Sequence, residues 1–459
     1  MEKEKLSFWQ KKEKELIYKR KNAWEKISDK EKKQIFDLVE QYKKFLGYAK
    51  TERLAVEFIE NFAKQNNIKY FKNKEKAICL IKKGRMSIKN GVRIIASHID
   101  SPHLDLKRIP IYEDSNLCFL KTHYYGGIKK YQWVNVPLSL IGVVIAKQSR
   151  KININIGEKE NDSCFVISDL LPHLANKQMK KDAKEVITGE QLTAIAGNIP
   201  VDDDKISEKI KLYTLNILRE KYDIAEKDII CSELQLVPSF APRDIGFDKS
   251  LIGGYGQDDR LCAWASLNAI KNIQTPKYTS IVVFVDKEEI GSVGNTSADS
   301  YFFENIILEL SKDEDITKQV KTRDIFKKSL CISSDVAMAI DPNYADVFEH
   351  QNDALLGSGV CIGKNTGWGG KFQGNDASAE YMSKIIELFE KNNIAWQSTT
   401  DGKIDEGGGG TISEYFSKFN MDVIDIGACI LGMHSPFEIS SKIDLYNLVK
   451  AHRVFLENL

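Results

Sequence analysis

The stretch 280–295, SIVVFVDKEEIGSVGN, runs six residues without a charge and then meets Asp286, Lys287, Glu288 and Glu289 in succession. A short apolar run with no polar alternation reads as a strand buried on both faces, the kind that lies in a parallel sheet covered by helices. The charged end raises a separate question. Two neighbouring carboxylates repel each other, and partial burial makes the repulsion worse. Either solvent or a cation has to account for Glu288 and Glu289.

Other segments repeat this texture. GVRIIASHID (91–100), SLCISSDVA (329–337) and MDVIDIGACILGMHS (421–435) are apolar runs that end in polar residues or glycine. DRLCAWASLNAIKNI (259–273) and ASAEYMSKIIELFEKNN (377–393) lie between them with helical spacing. The expected fold is therefore α/β, a mostly parallel, mixed sheet with helices on both faces. Residues 1–66 read as helix, with Trp24, Ile27, Ile35, Phe36, Leu38, Val39, Tyr42, Phe45 and Leu46 at helical spacing. The charge runs there read as a solvated face.

The middle of the chain differs. SNLCFLKTHYY (115–125) and KININIG (151–157) are shorter, alternating runs, followed by the lysine-rich NKQMKKDAKE and the acidic VDDDK. An inserted β-rich domain over 103–244 explains the break, leaving 1–102 and 245–459 as the larger domain. The prolines and glycine of LVPSFAPRDIGF mark the return.

Length and composition agree with this division. A chain of 459 residues exceeds one simple core, and 42% hydrophobic with 29% charged residues is ordinary for a globular protein. The net charge of +1 gives no general basis for binding nucleic acid or an anionic membrane. The eight cysteines are scattered with no CxxC pair, which suits reduced, buried thiols rather than a disulfide framework. The charged N-terminus lacks the apolar centre of a signal peptide, and VPLSLIGVVIA is far short of a membrane span. A soluble, cytoplasmic protein is expected.

The ends of the runs form a set. ASHID offers His98 and Asp100, GGYGQDDR offers Asp258 and Asp259, and DKEEIG offers Glu288 and Glu289. SSDVA adds Asp335, and LGMHSPFE adds His434. In an open α/β sheet the carboxyl ends of the strands share one edge, where ligands bind. Each motif alone is ordinary: a strand-end histidine is usually a surface group, and DD before a helix is a common cap. Together they place two imidazoles and at least four carboxylates in one cleft, which divalent cations would neutralise. Imidazole among the donors favours zinc, manganese or cobalt over calcium. The count suits two metals, each with one histidine and one terminal carboxylate, sharing a bridging carboxylate. Ions about 3.5–4 Å apart can activate a shared water and polarise a carbonyl. A carboxylate left off the metals can take the proton of that water. Asp100, two residues from His98, is placed to orient the second ring nitrogen of that histidine.

These motifs, with KTERLAVEF (50–58), SHIDSPHLDLK (97–107), YYGGIKKYQWVNVPLSLIG (124–142), LPHLA (171–175), TGEQLTAIAGNIP (188–200) and SSDVAMAIDPNY (333–344), resemble the M18 family of metalloaminopeptidases over nearly the whole chain. GGYGQDDR is similar to the bacterial type-1 subgroup rather than to the aspartyl enzymes proper. The resemblance implies a phosphorylase/hydrolase-like proteolytic domain interrupted by a β-barrel-like dimerisation domain. It implies one zinc held by His98 and Asp335, another by Glu289 and His434, and Asp258 bridging both. Glu288 would be the general base and Asp100 the support of His98, in hydrolytic release of the N-terminal residue of a peptide by a metal-bridging water. It further implies a homo-oligomer, a dodecamer built from dimers, with His173 reaching the partner's active site. In the aspartyl enzymes a basic residue near 369–381 helps accept an acidic side chain. Lys371 is the matching candidate here, although the local wording differs and leaves acidic, neutral and broad preferences open.

Two other readings compete. A dipeptidase, deacylase or sister tetrahedral aminopeptidase would share His98, Asp258, Glu288, Glu289, Asp335 and His434, but not the words GMHSPFE and LPHLA. A non-catalytic assembly protein of the same fold would show damage to the site, and none of the expected ligands is missing.

Overall fold

The computed structural model describes residues 6–316 and 320–459. The first five residues of the expected helical segment lie outside that range. Eight strands form the central sheet in the order Lys69–Asn73, Ala77–Lys82, Ser280–Val285, Arg93–His98, Leu330–Ser333, Asp422–Gly427, Val360–Gly363 and Trp396–Thr399. Four of the seven pairings are parallel and three antiparallel. The three parallel pairings at the centre join the apolar runs singled out above.

Alternation along each run divides the sheet into two cores. Ile95, Val282, Phe284, Ile332, Ile424 and Ile426 face one side, where the helices Asp29–Tyr48, Glu52–Gln65, Gln257–Asn272, Ala379–Lys391 and Lys442–Asn458 pack. Ile94, Ala96, Ile281, Val283, Val285, Cys331 and Val423 face the other, beneath the helices Phe302–Asp313, Thr322–Phe326 and Ser413–Ser417. The fold is α/β with helices on both faces, as the runs imply.

The helices start where side chains can satisfy their free N–H groups. Ser28 accepts from Glu31 N, Thr51 from Leu54 N and Ser378 from Tyr381 N. The helix Asp29–Tyr48 then buries Ile35, Val39, Tyr42, Phe45 and Leu46, each worth about 2 kcal/mol relative to exposure. The N-terminal segment is not helical throughout. Trp24 sits in a 3-10 turn, and Ile27 follows it in extended backbone. Helical spacing across 24–35 is thus coincidental, because Ser28 caps a new helix there.

Six antiparallel strands drawn from 103–238 form a second sheet, in the order Arg150–Ile156, Leu138–Ala146, Ser232–Pro238, His103–Asp114, Leu117–Tyr125 and Thr193–Gly197. Single bridges from Phe165 to Leu138 and from Val166 to Ile195 curl this sheet towards a barrel. It has a core of its own, centred on Leu104, Trp133, Leu138, Leu192 and Leu236.

A third sheet orders Arg243–Ile245, Leu251–Gly254, Glu438–Ser441, Cys429–Leu431 and Ala337–Met338. Its existence corrects one expectation. MDVIDIGACILGMHS is two strands, of which Asp422–Gly427 lies in the central sheet and Cys429–Leu431 in this smaller one. The run changes sheets at Ala428, which leaves no charge or proline to mark the break.

Candidate metal centre

The central sheet supplies three of the ligand candidates. Parallel pairing sets Val285 beside His98 and Ser333 beside Ala96, so the residues just beyond these strands emerge on one edge. His98 ends its strand, Glu288 and Glu289 follow Val285, and Asp335 follows Ser333. Asp258 and His434 come from the smaller sheet instead, after Leu251–Gly254 and between Cys429–Leu431 and Glu438–Ser441. The site is a junction of two sheet edges, not the single edge that the run ends suggest. Asp258 and Asp259 stand in the first turn of the helix Gln257–Asn272 with non-helical backbone, ψ of 106° and 26°, and the peptide bond between them is cis.

Asp258 lies between the two histidines. Its Oδ1 is 3.2 Å from His98 Nε2, and its Oδ2 is 3.1 Å from His434 Nε2. Asp335 Oδ1 is 3.7 Å from His98 Nε2, and Glu289 Oε2 is 3.4 Å from His434 Nε2. The donor atoms therefore fall into two groups that share Asp258: His98, Asp258 and Asp335, and Asp258, Glu289 and His434, each within 4.8 Å. Glu288 belongs to neither group.

The other nitrogen of each imidazole is engaged. His98 Nδ1 lies 3.4 Å from Asp100 Oδ1 and 3.1 Å from the Asp100 carbonyl. His434 Nδ1 is 2.8 Å from the Gly127 carbonyl. Such contacts leave Nε2 of each ring free for a cation. Asp100 does more than the sequence suggests, because its carboxylate also accepts the backbone N–H groups of Glu288 and Glu289, both at 3.2 Å. The two glutamates sit on a 3-10 turn, Glu288–Ile290, rather than on extended chain, so that turn is what separates their side chains. Gly291 closes it at a φ of +94°, which a glycine adopts freely, while a Cβ there would meet nothing within 4 Å. Conformation requires this glycine, not close approach.

The charges of the cluster are strained in a manner that cations would relieve. Burial, then Asp335, Asp100 and Asp258, push Glu288 up to about 8. Burial and Asp258 drive Glu289 well above the carboxylate range, and its Oε1 is buried without a partner. Burial followed by Asp258 also raises Asp335. Against burial, the bonds to His434 and His98 hold Asp258 below its usual range, and the bond to Asp258 with the charge of Glu289 lifts His434 to about 11. Two imidazole nitrogens and three carboxylates compose a donor set that suits zinc, and divalent charge there would offset the repulsion among the carboxylates.

Sequence reasoning assigned no role to Glu438, although it ends the word GMHSPFE. It is buried, and burial with the charge of Asp258 pushes it to about 8. Its Oε2 accepts from Gln257 N and Asp258 N, and its Oε1 accepts from His434 N. His434 has a φ of +64°, and this bond helps to hold that uncommon conformation.

His173 and Lys371 lie elsewhere in the chain. His173 is exposed on the turn Pro172–Leu174, and among the described residues it has no hydrogen bond to the cluster. Lys371 is exposed and pairs with Asp376 at 3.0 Å. Asn365 and Thr366 of the same loop instead line a narrow cavity beside Asp335, together with Gly363, Thr399 and Asp401. No described helix is long and apolar enough to cross a membrane.

Known proteins resemble this chain in sequence and in fold. The profile of the family described as aminopeptidase I zinc metalloprotease (M18) matches residues 30–456. A probable M18 family aminopeptidase 1 of Clostridium acetobutylicum is 42% identical over 97% of this chain and 99% of its own. One from Borrelia garinii subsp. bavariensis is 46% identical over 95% and 99%. The crystal structure of an M18 aminopeptidase from Thermotoga maritima superposes with a TM-score of 0.93 at 39% identity, covering 96% of this chain and all of that one.

Proposed function

The chain belongs to the M18 family and is a metalloaminopeptidase, and we propose that it binds two divalent ions, zinc or else manganese or cobalt, at the paired groups around Asp258. The observation that carries this reading is the division of Asp258, each of whose oxygens faces a different histidine, at 3.2 and 3.1 Å. In it His98 and Asp335 hold one ion, Glu289 and His434 the other, and Asp258 both. Bound there, the ions supply Lewis-acid polarisation of the first peptide carbonyl and a lowered pKa for the attacking water.

The protein's own groups do the rest. Glu288, outside both ligand groups, takes the proton of the attacking water and passes it to the leaving amine. Asp100 fixes the ring of His98 and anchors the backbone that carries both glutamates. The small cavity beside Asp335 adjoins the ligand group of His98. Its lining gives Lys371 no direct part, and an acidic preference does not follow from it.

The proposed limits of the inserted dimerisation domain are 103–244, with 1–102 and 245–459 forming the catalytic domain. The exposed position of His173 is compatible with a reach across a dimer into the partner's site, and a yeast relative that shares the fold at 19% identity is described as a dodecamer. A cytoplasmic homo-oligomer is the corresponding reading for this chain.

The test combines metal analysis with aspartyl-, leucyl- and lysyl-p-nitroanilides, free and N-acetylated. Two metals per chain and release from the free amines alone are expected. Equal cleavage of the acetylated compounds would sink the aminopeptidase assignment of this site in favour of a deacylase.

A further inference from the structure

The strand Leu117–Tyr125 belongs to the six-stranded sheet, yet the three residues at its end reach the metal centre. Tyr125 Oη donates to Asp100 Oδ2 at 2.9 Å, and its ring stacks on His103 with centroids 4.3 Å apart. Asp100 in turn faces His98 Nδ1 and receives the Glu288 and Glu289 N–H groups. Gly126 packs so closely that a Cβ there would stand 3.3 Å from both Cβ and Oε2 of Glu289. Gly127 offers its carbonyl to His434 Nδ1 at 2.8 Å. Three consecutive residues thus touch the support of His98, the ligand candidate Glu289 and the ring of His434.

We infer that Tyr125–Gly127 is a positioning segment of the metal centre, through which the inserted sheet sets the geometry of both ligand groups. Tyr125 acts through Asp100. Without its O–H, one oxygen of that carboxylate loses a buried donor and turns more freely, loosening His98 and the glutamate turn together. Gly127 fixes His434 directly, and a side chain on its neighbour Gly126 would press on Glu289, at 3.3 Å. The inserted unit accordingly has a task at the active site of its own chain, separate from any role between subunits. This inference rests on the two-metal reading above.

The test measures metal affinity, not only turnover. Zinc and cobalt dissociation constants are measured by chelator competition for the parent, Tyr125→Phe, Asp100→Asn and the double variant, with melting of the metal-free forms as a control. Loss of an outer hydrogen bond to a metal-ligating group weakens binding about 10–100-fold. That range is expected for Asp100→Asn, whose carboxylate faces His98. A smaller but clear loss is expected for Tyr125→Phe, which acts one bond further out, with little change in metal-free melting. The double variant should bind no more weakly than Asp100→Asn. Parent-like affinity in Tyr125→Phe, or additive losses in the double variant, would overturn the inference. Should Tyr125→Phe fail to fold, Asp100→Asn alone decides, because parent-like affinity there removes the link through which Tyr125 acts. The parent's stoichiometry is a separate readout: one metal per chain defeats the two-metal reading, whatever the variants do.

Discussion

Glu438 and Asp258 are joined through the backbone: the Glu438 carboxylate accepts the Asp258 N–H at 3.2 Å, and its other oxygen accepts the His434 N–H at 2.8 Å. One buried side chain thereby ties the bridging candidate to a terminal one. With the Gln257 N–H at 2.6 Å it satisfies three backbone donors. Glu438→Ala would strand them at about 1 kcal/mol or more each. We expect a loss of about 3 kcal/mol in urea unfolding and weaker metal retention. Glu438→Gln, which keeps one acceptor oxygen, should lose less. Unchanged stability in the alanine variant would show that water replaces the carboxylate.

Glu288 stands outside both ligand groups. Glu288→Gln should keep the parent's metal content while the turnover number falls about 10²–10⁴-fold, the usual range for a lost general base. Metal analysis and steady-state rates on one preparation check both halves. A variant as fast as the parent would remove Glu288 from the mechanism.

Shared and terminal ligands should separate on metal removal. Asp258 faces both histidines, whereas Asp335 faces only His98. Asp258→Ala is expected to lower the content of both ions, and Asp335→Ala to lower one, counted by elemental analysis after dialysis against a weak chelator. Equal losses would contradict the division of the cluster into two groups.

His452 provides a pH test away from the cluster. It is fully buried between Ser266 and Ser334, and burial lowers it to about 3. A depressed histidine contributes stability above its unfolded value near 6.5, and that contribution is lost as pH falls towards 3. Over this window the unfolded chain takes up a proton that the fold does not, costing about 1.4 kcal/mol per pH unit. His452→Gln lacks that proton. The gap in unfolding free energy between parent and variant should therefore narrow from pH 6.5 to 5.5. A constant gap would mean that His452 titrates normally in the fold.

Much of the catalytic unit is legible in the linear chain. Uninterrupted apolar runs such as IVVFV and RIIA mark buried strands because both of their faces must leave water, and amphipathic spacing marks the helices that cover them. The polar residues at the ends of those runs, from His98 to His434, are the ones that the fold gathers. Local chemistry carries that much, since a carboxylate next to a buried strand needs a partner wherever the strand goes.

What the chain alone leaves undecided concerns groups distant in sequence and local backbone conformation. That Asp258 and His434 come from a smaller sheet depends on Leu251–Gly254 pairing with Glu438–Ser441 across nearly two hundred residues, which no local pattern encodes. The work of Glu438 and Tyr125 is equally hidden, because each acts by a hydrogen bond to a group whose neighbourhood exists only after folding. The separation of Glu288 from Glu289 is set by a 3-10 turn that Asp100 holds from another strand. Sequence determined which side chains could bind a cation, since that is a property of the groups themselves. Tertiary structure decided how they are shared, because only the pairing of the two sheets sets which oxygen of Asp258 meets which histidine.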